Sequence, residues 1–600
     1  MEELLFPITL PPGMYQNGTT YQAAGRWNTG QLVRFFQGTV QNVKGWAQAT
    51  DANGADFATL SGMGRGALAW RQSDGSLLMA FGTTSKLYCI AGGILYDETP
   101  SGFTTGLVDA GTTVPGAYGS ATYGSGLYNV GAVGLITIDP DTWTMDAFGN
   151  YLAAVCTSDQ KLYVWPAATG TPAATPTWAL TTTGPIVTVG STSGGASSIV
   201  LGATTMTGTL LQGQTFTVSG TQYTATANAT ASGNQVTVSI LPTVPATITN
   251  GTAVTGTANQ APLCRAVVVT PEKFLVALGA GDPRTVQWAS QETYAVWGGL
   301  ISNSAGSFPL TTRGRILAGA ATKSETLIWT DADLWRMYYV GGTLVYGFIQ
   351  GGDNCGLIAP NAKVILNGNA YWMGRGNFYM YNGYVQPIPC DVSDTVFGNI
   401  TDIQRAKIWA MAVPQYNEVW WFYPNSTVGP VNEINSYVIY NTVEHHWSTG
   451  RLARTCGIGA GVIQYPLMVD TLGLIQQHEL PNTGVVGAIT PYLTTGPIEI
   501  GSGDVQGWGR SARGERLMKI DRVVPDQNQG GGLTLILTTK LYPNDPSPVT
   551  TTIGTLTTPT DVRLTARQVQ LEFKTPGNGT TMQDWRLGTM RLGIRPGGKR

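Results

Sequence analysis

Asp331 and Asp333 stand two residues apart, a spacing that in a strand places both carboxylates on one face. Paired carboxylates can hydrolyse glycosides by acid–base chemistry. Trp329 and Leu334 flank the pair, so a polar hairpin turn is the preferred account of it. Asp282, Arg284 and Arg336 could join them in an acid–arginine cluster on the axis of a circular fold. His445 and His446 are adjacent, and neighbours in a strand face opposite sides, so the two cannot chelate one metal ion together. Asp51-Ala-Asn-Gly-Ala-Asp56 has the acids of a calcium loop but not its bidentate glutamate or alternating oxygen ligands. Ser73-Asp-Gly75 reads as a hairpin turn, and Gly62-Met-Gly-Arg-Gly66 lacks the helix and lysine of a phosphate loop. Six cysteines (Cys89, Cys156, Cys264, Cys355, Cys390, Cys456) are scattered without a CxxC spacing, which argues against a zinc site or a disulfide framework. No catalytic, cofactor-binding or metal-binding residue is assigned, and the expectation is a protein that is not an enzyme and carries no cofactor.

The elements that would carry any such site are strands. Short apolar runs with aromatic tips recur as Gly66-Ala-Leu-Ala-Trp70, Leu77-Leu-Met-Ala-Phe-Gly82 and Lys86-Leu-Tyr-Cys-Ile90. They return as Tyr151-Leu-Ala-Ala-Val155, Thr326-Leu-Ile-Trp329, Ala370-Tyr-Trp-Met373 and Glu418-Val-Trp-Trp-Phe-Tyr423. A hairpin unit repeated in this way builds radial sheets, β-propellers above all. The predicted fold is all-β: a β-propeller with an inserted small β-sandwich or barrel and a C-terminal antiparallel β-sandwich. Residues 1–50 read as an extended N-terminal segment with first strands, 51–185 as the first part of the propeller and 263–485 as its second part. Between these, 186–262 contains no Lys, Arg, Asp, Glu, Trp or His, and alternates β-branched with polar residues around a Ser219-Gly220 turn. That stretch is the expected insertion. Residues 486–600 alternate cleanly and form the expected C-terminal sandwich with a basic tail.

Composition narrows the function classes. Charged residues make up 12% of the 600, against about 25% in an average globular protein. The exterior must then be largely Thr, Ser, Asn, Gln and Gly, which suits large interfaces because little charge has to be desolvated. The net charge of −2 excludes a whole-chain attraction to nucleic acid. Val505 to Arg600 nevertheless carries 14 Lys/Arg and 7 Asp/Glu, a basic region within an otherwise acidic chain. No apolar run approaches 18 residues, and no signal peptide is visible at Met1-Glu-Glu-Leu-Leu-Phe.

Arg26-Trp-Asn-Thr-Gly-Gln-Leu-Val-Arg-Phe35 with Gly45-Trp46 resembles the opening signature of the tail nozzle proteins of short-tailed bacteriophages, also described as tail tubular or packaged-DNA stabilisation proteins. Pro283-Arg-Thr-Val-Gln-Trp288 with Trp297, and Val438-Ile-Tyr-Asn-Thr442 with Trp447, resemble their propeller segments. The resemblance implies a structural virion protein assembled in the host bacterial cytoplasm. It further implies a homohexameric ring below the head-to-tail adaptor protein, anchoring tail fibres or spikes. DNA would pass through its lumen without sequence-specific binding, be retained until ejection, and no part would insert directly into a membrane. The alternative is a propeller-based glycan-binding or glycan-hydrolysing tail or adhesion protein.

Overall fold

The computed structural model describes residues 4–100, 103–111, 138–165, 180–210, 214–255, 261–299, 303–342, 344–480, 490–499, 517–529, 533–556, 558–575 and 584–597. Among them the expected all-β architecture is present. Seven antiparallel sheets form successive blades: blade I at 64–97, II at 143–165, III at 266–309, IV at 316–352, V at 363–388, VI at 409–451 and VII at 456–480. The strands within each blade follow chain order, so each sheet is a meander of short hairpins. The first strands of blades VII, I, II, III and IV are successive neighbours, as are those of V, VI and VII, which closes the strands round an axis. Blades IV and V join through Trp329 and Trp372, whose rings meet edge to face at 5.7 Å.

Aromatic packing between blades explains the tryptophan content. Trp143, Trp165, Trp297, Trp329, Trp372, Trp420, Trp421 and Trp447 are all fully buried. Trp288 is buried beside Tyr346, as expected for a blade residue. Glycine inside the blade I strands makes room for such rings. A Cβ at Gly66 would approach the Trp143 carbonyl oxygen to 2.7 Å, and one at Gly82 would approach its ring to 2.4 Å. Among the described residues the α-helix is confined to Ser393–Phe397; Asp402–Lys407 is a 3-10 turn followed by the strand Trp409–Val413.

The last blade is closed by the start of the chain: Gly45–Gln48 pairs with Ile475–Leu480 as its outer strand. The N-terminal segment is thus not merely extended. Leu4–Ile8 pairs with Met590–Pro596, Trp27–Gln31 with Tyr492–Thr495, and Thr39–Asn42 with Trp585–Leu587. Three sheets of four, five and four strands therefore mix both chain ends in one body, with Leu535, Leu537, Leu571, Phe573 and Leu592 at its core. Asn28-Thr-Gly30 lies within the strand Trp27–Gln31, which has a bulge after Trp27.

The Thr-rich stretch lies between blades II and III and has its own apolar core, including Ile199, Phe216, Tyr223 and Val238. It begins earlier than its composition indicated, because Thr181–Thr183 already pairs with Thr205–Thr207. The Pro/Ala/Thr-rich residues 166–179 and the Gly/Tyr/Ala-rich residues 112–134 lie outside the described residues. No described helix is long and apolar enough to cross a membrane.

Candidate functional site: the axial mouth of the propeller

Each blade begins at its innermost strand, so the residue just before that strand and the turn between its second and third strands reach the same end of the axis. Around that end lies a cavity of about 540 Å³. Arg265 and Arg315 reach it from the heads of blades III and IV, Arg405 from the turn before blade VI, and Arg375 from a turn in blade V. Asp139 and Asp141 enter from the approach to blade II, and Asp331 from the middle turn of blade IV.

Hydrogen bonding occupies the carboxylates. Arg315 Nη2 lies 2.5 Å from Asp139 Oδ2, and the Arg315 backbone N–H donates to Asp331 Oδ1 at 2.9 Å. Asp141 accepts from the Leu107 N–H at 2.8 Å and from the Thr157 hydroxyl at 2.7 Å. Arg405 pairs with Asp402 at 3.1 Å. Arg265 and Arg375 have no ion-pair or side-chain hydrogen-bond partner among the described residues. Burial, and then the neighbouring Arg315 cation, lower the Arg265 pKa against the pull of Asp139 and Asp141.

Below the mouth the axis is bridged. The Asn361 amide donates to the Arg65 and Trp143 carbonyl oxygens, both at 3.1 Å, linking blade V to blades I and II. Arg65 donates to Glu433 at 2.7 Å, and Lys407 donates to Asp109 at 2.6 Å and lies 3.3 Å from Glu433. Farther along, Lys363 and Asp146 face each other electrostatically. Burial lowers Lys363 to about 8 and raises Asp146.

The residues singled out in the sequence do not form the cluster imagined for them. Asp331 alone reaches the mouth. Asp333 is buried and accepts from Thr312 at 2.9 Å and from Thr330. Asp282 and Arg284 pair with each other at 3.6 Å and are 53% and 52% exposed. Arg336 pairs with Glu325 at 2.8 Å. His445 Nδ1 meets the Tyr440 hydroxyl at 2.8 Å, whereas His446 is buried against Phe35 and 3.1 Å from Glu444. Asp51 accepts from the N–H groups of Asn53 and Ala55, and Asp74 accepts from that of Ser76, so both are turn residues. The strand aromatics Trp335, Trp420 and Trp421 are blade core, whereas Tyr339 is exposed. The mouth arginines escaped the sequence reading because each is a single cation in a separate segment. For two of them the signal is positional: Arg265 and Arg315 each stand just before the innermost strand of a blade.

A second charged site, also missed, fixes the segment that carries the nozzle-like signature. Arg34 is 1% exposed and bonds Glu418 of blade VI and Glu479 of blade VII. Its Nε and Nη2 each lie 3.0 Å from a Glu418 oxygen, its Nη1 lies 2.9 Å from Glu479, and its plane stacks 3.7 Å from the Tyr416 ring centroid. Burial opposes the cation, but the two glutamates outweigh it and its pKa is raised. Trp27 packs on Phe35 and Phe573, and Trp46 stacks on the buried His478. Leu32, at φ 51, donates its N–H to the Tyr437 hydroxyl at 2.8 Å.

No family model matches the sequence, and no curated protein matches it significantly. Solved structures do match in part. Apo AztD from Citrobacter koseri is 8% identical with a TM-score of 0.28, over 69% of this chain and 93% of that one. An exo-β-1,3-galactanase from Phanerochaete chrysosporium with galactose is 10% identical with a TM-score of 0.23, over 92% and 100%. A GH74 enzyme from Niastella koreensis is 12% identical with a TM-score of 0.24, over 74% and 73%. Superposition this loose carries nothing about chemistry.

Proposed function

We propose that this protein is a structural, ring-forming subunit rather than a catalyst, and that the ring is the nozzle of a short phage tail. The observation that carries the reading is the Arg34 site. The nozzle-like signature is used as a joint: Leu32 and Arg34 tie the two-ended body to blades VI and VII, while Trp27 anchors the segment within that body and Trp46 within blade VII. A rigid two-body subunit with a weakly charged exterior is suited to assembly, since neutral polar surface costs little to desolvate. The inserted domain, with its own core, is available to hold fibres or spikes.

Glycan hydrolysis is the competing reading, favoured by the position of the cavity on the propeller axis. It would need one carboxyl able to give a proton and a second able to act as base or nucleophile. Asp139, Asp141 and Asp331 are instead engaged by Arg315, by backbone N–H groups or by Thr157. Residues 112–137, which lead into Asp139, contain no Asp, Glu or His. The test is incubation of the purified chain with bacterial surface polysaccharide while reducing ends are counted. No release above background is expected, and sustained release abolished by Asp331→Asn would overturn the structural reading.

A further inference from the structure

We infer that the axial mouth is a binding site for a small polyhydroxylated ligand bearing an oxyanion, such as a carboxylated sugar. The inference does not depend on ring assembly.

The cavity brings four arginines and three aspartates together from separate blades. Two of the arginines are already spoken for: Arg315 by Asp139 and Asp331, Arg405 by Asp402. Arg265 and Arg375 remain without a described partner, and Arg265 is half-buried beside Arg315. Partial burial of a guanidinium next to a second cation is unfavourable unless an anion sits between them. Asp139 and Asp141 act on Arg265 from nearby without hydrogen-bonding it, so its donors and those of Arg375 stay open to an incoming oxyanion. A guanidinium fork matches carboxylate and phosphoryl oxygens in two parallel bonds.

The remaining walls select a ligand with hydroxyls and an apolar face. Gln160 lines the cavity, and the Ser158 hydroxyl, which donates to the Thr104 carbonyl, keeps lone pairs free to accept. Leu107, Ile138 and Ile358 supply apolar surface of the kind that packs against the C–H face of a pyranose. A volume of about 540 Å³ admits one or two sugar rings, within the usual range for a small-ligand pocket.

The test is calorimetric titration of the full chain at low salt with glucuronate, glucose 1-phosphate and glucose. Saturable binding of an anionic sugar is expected, with glucose at least tenfold weaker and affinity falling as salt rises. Preference between the two anions identifies the oxyanion as carboxylate or phosphoryl. Arg265→Gln and Arg375→Gln should each weaken binding at least tenfold. Arg375 is exposed, so its variant keeps the test open if Arg265→Gln fails to fold. The inference is overturned if neither anion binds, if glucose binds equally well, or if Arg375→Gln folds and binds the anion unchanged.

Discussion

Arginine does opposite work at two places in this molecule. At Arg34 each guanidinium nitrogen meets a glutamate, the ring of Tyr416 covers the plane, and solvent is excluded. At the mouth, Arg265 and Arg375 point into a cavity without a described partner. A satisfied buried cation specifies how two bodies meet, whereas an unsatisfied one at a cavity waits for something from outside. The contrast separates the chain's architecture from its capacity to bind, and each half of it can be attacked.

The largest effect is expected at the joint. Arg34→Ala leaves Glu418 and Glu479 buried without their counter-ion and should cost about 3–5 kcal/mol, read from denaturant unfolding. A loss below about 1 kcal/mol would remove the joint from the account. Replacing Trp288 by Ala in the blade III core should cost a similar amount, about 3–5 kcal/mol, without involving charge, and so calibrates the Arg34 value.

A buried acid outside both sites sharpens the comparison. Glu98 is 2% exposed, and burial, aided by Asp97 and opposed by a hydrogen bond from Trp165, raises its carboxyl to about 7. The native state therefore holds a proton that the unfolded chain releases. Stability that Glu98 contributes below pH 4.5 is lost as pH rises through about 7. Glu98→Gln should gain on the wild type over that interval by on the order of 1–3 kcal/mol, as unfolding at pH 4.5, 6 and 8 would reveal. An equal difference at all three values would refute the burial argument. The smallest effect belongs to the mouth: Arg375→Gln should change stability by less than about 0.5 kcal/mol, because no described contact is lost. A larger destabilisation would make Arg375 a structural arginine like Arg34.

Local pattern made much of this fold legible. The Ser219-Gly220 turn follows from residues that tolerate positive φ, and both adopt it, at 50° and 77°. The blade strands announce themselves because each is short, apolar and bounded by turn residues. Pairings between distant parts of the chain leave no such trace. Nothing in Leu4–Ile8 specifies Met590–Pro596, and Gly45–Gln48 does not signal that it closes blade VII. The same limit hid both arginine sites. Arg34 lay in a recognisable motif, but its partners Glu418 and Glu479 are hundreds of residues away and look like ordinary strand residues. Conversely, Asp331 and Asp333 looked paired in sequence, yet the turn sends one to the mouth and the other into the blade.

The assembly claim is tested most directly by native mass measurement of the purified 63.6 kDa chain, alone and with the head-to-tail adaptor. The account predicts a discrete ring of six copies on the adaptor, preserved in Arg375→Gln and lost in Arg34→Ala. A chain that stays monomeric in the adaptor's presence, while its fold remains intact, would contradict it.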